Sequence, residues 1–293
     1  MPEQPSQQPS LYVLPVAART THDPIAIALA EDIGRGDITS RYFVGLERRT
    51  ARIFAKEPSV AAGVEIAAEV FKRVDPQIEL TIAAPSGSRL SKWQTVLEVT
   101  GAVRSILTAE RVALNFLQQL SGVATLTRRY VDAVAGTKAR ILDTRKTTPG
   151  LRALEKAAVL AGGGQNHRFG LFDMVLVKDN HLAADTELQH LQDAIRTCRA
   201  ENPSIRIEVE ADSIEQVRRF LTLMEIDVVL LDNMSTADMT EAVRMAGGRV
   251  QLEASGGVNL ETVAKIAATG VDYISVGALT HSAPAIDFSL ELT

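Results

Sequence analysis

Residues 205–234 read IRIEVEADSIEQVRRFLTLMEIDVVLLDNM: an apolar, β-branched run, an amphipathic stretch, and a second apolar run beginning at Asp227. Strand, helix and strand at that spacing form a parallel β/α unit. The same rhythm extends in both directions, through ARIL from 139, MVLV from 174, RVQLE from 249 and DYISV from 272. The runs are apolar almost throughout, as strands covered on both faces must be. Such a series builds either a β/α barrel or an open doubly wound sheet. The barrel is favoured, because no GxGxxG follows any of the strands.

Upstream the rhythm differs. Candidate strands Thr50–Lys56 and Gln77–Ile82 flank a helical pattern with apolar Val64, Ala67, Ala68, Phe71 and Val74 at i, i+3, i+4, i+7 spacing, and a further strand covers Thr95–Val99. From Thr108 to Ala133 the pattern is helical, with Leu114, Leu117, Leu120 and Val123 on one stripe and a break or bend expected at Ser121-Gly122. The change of rhythm near 125–138 places an α/β domain over 21–135 and the barrel over 136–281. The opening MPEQPSQQPS has neither the basic nor the apolar region of a secretory signal, and residues 1–20 read as a flexible tail.

Composition narrows the function classes. The 293 residues are 46% hydrophobic and 23% charged, as in globular proteins, which sets aside collagen-like, disordered and membrane classes. No apolar run approaches the roughly 20 residues a spanning helix needs. The net charge of −5 repels nucleic acid and anionic membranes, so no nucleic-acid or membrane partner is expected and an anionic ligand requires a local cationic pocket. Cys198 is the single cysteine, which rules out an intramolecular disulfide and points to a reducing, cytoplasmic setting.

In parallel β/α folds the site lies at the carboxyl ends of the strands. The six runs end in Asp143-Thr144-Arg145-Lys146, Lys178-Asp179-Asn180-His181, Glu208 with Glu210, Asp232-Asn233, Glu253-Ala254-Ser255-Gly256-Gly257 and Gly277-Ala278. One charge at a strand end is an ordinary solvated residue; ionisable and Gly/Ser groups at the same end of every strand make a site. Arg145, Lys146, Arg168 and Lys178, with His167 in GGGQNHRFG, imply a ligand with more than one anionic group. Glu210 and Asp232 can hold Mg²⁺ directly or through water, bind sugar hydroxyls or do acid/base work, and facing each other across the mouth would suit any of these. Zinc is disfavoured, since HEXXH and Cys/His spacing are absent. Ser255-Gly256-Gly257 and Val276-Gly277-Ala278 stand where barrels bind phosphate on backbone amides.

The segments ALAEDIGRGDIT, AERVALNFLQQLSGVAT, LDTRKTTPGLRALEKAAVLAGGGQNHRFGLFDMVLVKDNH, EVE, LLDNM, EASGGV and GVDYISVGALTHS together resemble the quinolinate phosphoribosyltransferases over residues 25–291. The resemblance implies an incomplete β/α barrel and an N-terminal α/β sandwich rejoined by residues 282–293. It implies a transfer of phosphoribosyl from phosphoribosyl pyrophosphate to quinolinate, with Mg²⁺ as cofactor, yielding nicotinate mononucleotide, pyrophosphate and CO₂ in NAD biosynthesis. By that resemblance Arg145, His167, Arg168 and Lys178 meet the quinolinate carboxylates, Lys146 lies near both substrates, and Thr144 stands on the same rim. Glu210 and Asp232 serve the ribose and the magnesium-pyrophosphate region, while Ser255, Gly256, Gly257, Val276, Gly277 and Ala278 cradle the 5-phosphate. Lys146, Glu210 and Asp232 take the catalytic roles. Arg111 reaches the site of a neighbouring subunit, which makes a homodimer the smallest working unit.

Two other classes fit parts of the pattern. A Schiff-base aldolase would use Lys146 or Lys178, yet both stand among acids and arginines rather than in the desolvated setting that activates an amine. A binding-only barrel would be expected to have lost charged groups of the rim, and none is missing. A transferase of the same fold acting on a monocarboxylate would need fewer cations.

Overall fold

The computed structural model describes residues 23–178 and 188–293, so the tail and the Asp179-Asn180-His181 run lie outside the described residues. Helix α1 (Pro24–Ile33) starts where Asp23 accepts the amide N–H groups of Ile25 and Ala26, with proline in the first turn. Helix α2 (Ile38–Phe43) is capped in the same way by Asp37. Strands β1 (Arg48–Ala55), β3 (Glu79–Ile82) and β5 (Thr95–Ala102) then form an antiparallel sheet with the chain's last strand, β12 (Phe288–Leu292), in the order β12-β1-β5-β3. Short β2 (Ser59–Val60) and β4 (Arg89–Leu90) pair separately. Helix α3 (Val64–Val74) buries Val64, Ala67, Val70 and Phe71 against this layer, its charged face outward.

Helix α4 (Val103–Ala133) is the structural link. It begins five residues before the expected start and runs unbroken through Ser121-Gly122. The pair is a notch for two crossing segments. Ser121 Oγ takes the Ala62 amide N–H at 3.0 Å, and a Cβ at 122 would stand 2.3 Å from the Pro284 carbonyl oxygen. Residues through Leu117 belong to the core under the antiparallel sheet, and Leu120 onward belongs to the barrel core.

The barrel strands are β6 (Arg140–Leu142), β7 (Val175–Val177), β8 (Ile207–Ala211), β9 (Val228–Asp232), β10 (Gln251–Ser255) and β11 (Tyr273–Ser275). All pair in parallel, in the order β6-β11-β10-β9-β8-β7. The first strand pairs with the last and every other strand with its successor. That order circles a barrel with one seam open between β6 and β7, and contains no reversal of the kind a doubly wound sheet requires. The GGGQNHR loop lies along this seam, where Gln165 bridges Leu142. Helices α5 (Arg152–Ala161), α6 (Leu188–Glu201), α7 (Ile214–Phe220), α8 (Thr236–Ala246) and α9 (Val263–Ala267) cover the outside, with α10 (Ala278–His281) after β11. Among the described residues no helix is long and apolar enough to cross a membrane.

Candidate active site

Side chains alternate along a strand, so every second residue of each barrel strand faces inward. At the carboxyl ends these are Leu176 and Lys178, Glu210, Leu230 and Asp232, Glu253 and Ser255, and Ser275. With Thr144, Arg145, Lys146, His167, Arg168, Asn233, Gly256 and Gly257 they line a cavity of about 470 Å³. Glu210 and Asp232 stand on neighbouring strands, side by side rather than across the mouth: Glu210 pairs with Leu230, two residues before Asp232.

Four cations, Arg145, Lys146, Arg168 and Lys178, line this cavity. Arg168 is buried, and burial together with the nearby Arg145 guanidinium pulls its pKa below the usual arginine value. Its side chain donates to the Met174 carbonyl at 3.2 Å. The Nε of Arg145 is buried without a hydrogen-bond partner among the described residues. Arg152 holds the loop that presents them, donating to Thr147 Oγ1 at 3.0 Å and to the carbonyls of Arg145 (3.2 Å) and Phe169 (3.0 Å). Lys146 takes its place through the Thr144 hydroxyl, which accepts its amide N–H at 3.1 Å, and Thr280, which donates to its carbonyl at 2.7 Å. Its aliphatic stem lies over Gly277, where a Cβ would come within 3.1 Å of it. Lys178 pairs with Glu210 across β7 and β8.

Beneath the rim lies a layer of buried charge. Asp143, which the strand-end pattern places on the rim, is fully buried and ion-paired with fully buried Lys156. Asp143 also accepts Asn166 Nδ2 at 2.6 Å and the His167 amide at 2.8 Å, while Lys156 donates to the His167 carbonyl at 2.9 Å. Burial pushes Asp143 up and Lys156 down, each opposed by its partner. This cluster clamps both backbone polar groups of His167.

The His167 ring contacts two further buried acids, with Nε2 at 3.1 Å from Glu208 and 3.5 Å from Glu253. Burial opposes charge on the ring, while the two neighbouring carboxylates favour it and pull its pKa upward. An imidazolium would carry a proton on Nδ1 as well, yet Nδ1 accepts the Arg168 amide N–H at 2.8 Å. That hydrogen bond selects the Nε2–H tautomer. The proton demand falls on Glu208, which burial and the Glu253 charge push up to about 7. Both ring nitrogens have partners within the protein, and His167 stands at the wall of the cavity beside Arg168.

Among the glycine loops, Ser255, Gly256 and Gly257 line the cavity, and both glycines take positive φ (90° and 60°). Val276 does not belong there. Its side chain is buried in the barrel core and its amide N–H is spent on the Leu142 carbonyl at 2.9 Å, because it falls on the outward phase of the alternation. Gly277 backs the Lys146 stem, and Ala278 opens α10; neither lines the cavity itself. Arg111 stands on the exposed face of α4, away from the cavity of its own chain.

Asn166, Arg152 and Lys156, which the sequence pattern left unassigned, lie inside the same motif as Arg145, and their roles arise from contacts between its two ends. Glu208 and Glu253 were visible as strand-end acids. The i, i+2 relation of Glu208 to Glu210 was the available signal that the former sits one layer deeper.

Comparison with known proteins agrees with this geometry. The model of the quinolinate phosphoribosyl transferase C-terminal domain matches residues 123–291, and that of the N-terminal domain matches 37–121. The nicotinate-nucleotide pyrophosphorylase [carboxylating] of Mycobacterium leprae is 46% identical over 277 residues, covering 92% of this chain and 96% of that one. A protein of Synechocystis, named as probably having the same activity, is 44% identical over 269 residues, covering 90% of each. Among solved structures, the nicotinate-nucleotide pyrophosphorylase of Francisella tularensis superposes with a TM-score of 0.86 at 39% identity, covering 92% of this chain and 94% of that chain. With both domain models matched in order, and relatives sharing more than two-fifths of their residues over nearly the whole length, this chain belongs to the quinolinate phosphoribosyltransferase family.

Proposed function

We propose that the cavity joins quinolinate to phosphoribosyl pyrophosphate, releasing pyrophosphate and CO₂ and leaving nicotinate mononucleotide. The observation that carries this reading is the pair Arg145 and Arg168 at the wall of one cavity: Arg168 is buried, and the nearby Arg145 guanidinium disfavours its charge. Like charges held together in a protein are stabilised by an anion between them, and planar forks suit carboxylates. Quinolinate brings two. Lys146 extends the cationic wall toward the second substrate. In the same cavity, Glu210 and Asp232 stabilise the positive charge that develops on the ribose as pyrophosphate departs. The Ser255-Gly256-Gly257 backbone, bare of side chains at both glycines, lets the 5-phosphate approach closely. Once the ring nitrogen is bonded to C1 of the ribose, the pyridinium stabilises the electron pair left as the adjacent carboxylate departs as CO₂, and that carbon then takes up a proton from water to give nicotinate mononucleotide. The protein's share is positioning and charge placement.

Glu210 and Asp232 are hard oxygen donors, which suits Mg²⁺ rather than a softer metal. They would hold it directly or through water, and it would neutralise pyrophosphate charge. The minimum assembly is a homodimer, with Arg111 completing the neighbour's site. Ile38, Tyr42, Phe43 and Leu46 form an exposed apolar face on and beside α2, next to the segment of α4 that bears Arg111, and a second copy would cover it. The unpaired Cys198 and ordinary globular composition suit a cytoplasmic location.

The test is a steady-state assay with phosphoribosyl pyrophosphate and Mg²⁺, offering quinolinate or nicotinate and following pyrophosphate and CO₂. Release of both products from quinolinate alone, abolished by EDTA, is expected. Turnover of nicotinate without CO₂ would overturn the dicarboxylate pocket, and turnover unaffected by EDTA would overturn the magnesium assignment.

A further inference from the structure

Asn233 follows Asp232 at the end of β9 with φ of 54°, a left-handed conformation that residues other than glycine adopt only when their surroundings hold them there. Three contacts hold it. Its amide N–H donates to the Ser255 carbonyl at 2.9 Å. Its Nδ2 donates to Asp232 Oδ2 at 2.9 Å. Its side-chain amide occupies the space over Gly256, where a Cβ would lie only 2.2 Å from Asn233 Oδ1. Gly256 itself takes φ of 90° and carries no side chain to contest that space. Asp232 and Ser255 are register partners across β9 and β10, so the three contacts form one closed unit.

We propose that Asn233 is a positioning residue for the phosphoribosyl donor, holding the Asp232 carboxylate and the Ser255-Gly256-Gly257 loop in a single geometry so that the ribose and 5-phosphate subsites are set together. This rests on the functional reading above, which places the ribose at Asp232 and the phosphate at the glycine loop. A hydrogen bond from a neutral amide to a carboxylate fixes which oxygen faces the cavity, and the packing of the same amide on Gly256 ties the loop to that choice. Asparagine combines tolerance of positive φ with both a donor and an acceptor; glycine would supply the conformation alone, and aspartate would turn a second carboxylate toward Asp232.

The variant Asn233→Gly separates a turn residue from a positioning residue, because glycine accepts φ of 54° without strain and deletes both side-chain contacts. Melting temperature, kcat, and KM for each substrate are measured, together with calorimetric binding of phosphoribosyl pyrophosphate without Mg²⁺ and of quinolinate. Expected are unchanged melting, unchanged KM and Kd for quinolinate, and a loss of roughly 10- to 100-fold in kcat/KM for phosphoribosyl pyrophosphate with weakened binding of it. That range corresponds to the loss of one hydrogen bond to a charged group. Asn233→Ser, which keeps a short donor, should recover part of the loss, and Asn233→Asp should recover none. Wild-type values in Asn233→Gly would reduce Asn233 to a turn residue and overturn the proposal, as would equal losses toward both substrates. Failure of the wild-type protein to bind or turn over phosphoribosyl pyrophosphate would instead overturn the functional reading, and this inference with it.

Discussion

Replacing Lys156 by methionine removes the cation from the cluster that clamps His167. Lys156 and Asp143 are both fully buried, and the lysine donates to the Asp143 carboxylate and to the His167 carbonyl. Methionine fills much of the same volume but leaves Asp143 an uncompensated buried charge, a change that costs about 3–5 kcal/mol. Two donors to that carboxylate survive, Asn166 at 2.6 Å and the His167 amide at 2.8 Å, so the expected loss is near the lower figure, about 3 kcal/mol. The assay is urea unfolding followed by far-ultraviolet circular dichroism. Burial already raises Asp143, and loss of its lysine raises it further, so the folded variant takes up a proton more readily than the unfolded chain. Its deficit against wild type should therefore shrink as the pH falls from neutral toward the ordinary aspartate value. Adding Asp143→Asn, which keeps an acceptor for the His167 amide, should give a double variant less destabilised than the sum of the two single changes. Kinetically, the displaced His167 and Arg168 should raise KM for quinolinate more than KM for phosphoribosyl pyrophosphate. A Lys156→Met protein with the wild-type urea midpoint, or strict additivity in the cycle, would refute the reasoning.

Glu208→Gln should flatten the pH dependence of stability: the wild-type carboxyl rises from 4.5 to about 7 on folding, so stability is present at low pH and lost as pH climbs through that window, by about 3 kcal/mol at most. Identical slopes of melting temperature against pH in the two proteins would count against the burial argument. Gly122→Ala should destabilise by about 1–3 kcal/mol, since its Cβ would meet the Pro284 carbonyl oxygen at 2.3 Å, and amide exchange should quicken in β12; an unchanged melting curve would mean the crossing segment yields easily. Mixing inactive Arg111→Ala and Asp232→Asn subunits should restore part of the activity, because one of the two sites in a hybrid dimer would then be intact, whereas no recovery after verified exchange would place Arg111 outside the neighbour's site.

The strand rhythm and the rim were legible because both are local. Alternation makes Glu210, Asp232 and Ser255 inward-facing once their runs are recognised as strands, and position at the carboxyl end puts them in one cavity with Arg145, Lys146, Arg168 and Lys178. Strand-end position misled at Val276, whose side chain is buried and whose amide is spent on Leu142, and at Asp143, which lies beneath the rim it was expected to join. Local pattern also read Ser121-Gly122 as a break or bend, since small residues weaken a helix in isolation; the segments that cross there are distant in sequence and leave no mark on it.

The sequence by itself determined a parallel β/α architecture, a rim of ionisable and Gly/Ser groups and the membership its motifs announce, because side-chain period and strand-end chemistry are properties of short runs. Only the tertiary structure decided that the barrel is left open between β6 and β7, that Glu208 and Glu253 converge on His167, and that Asp143 finds Lys156 and Asn166. Those pairings depend on strand stagger, on the seam that admits the GGGQNHR loop, and on burial, which makes an unpaired charge costly. Each is a relation between residues far apart along the chain, and it acquires an energy only when packing brings them together.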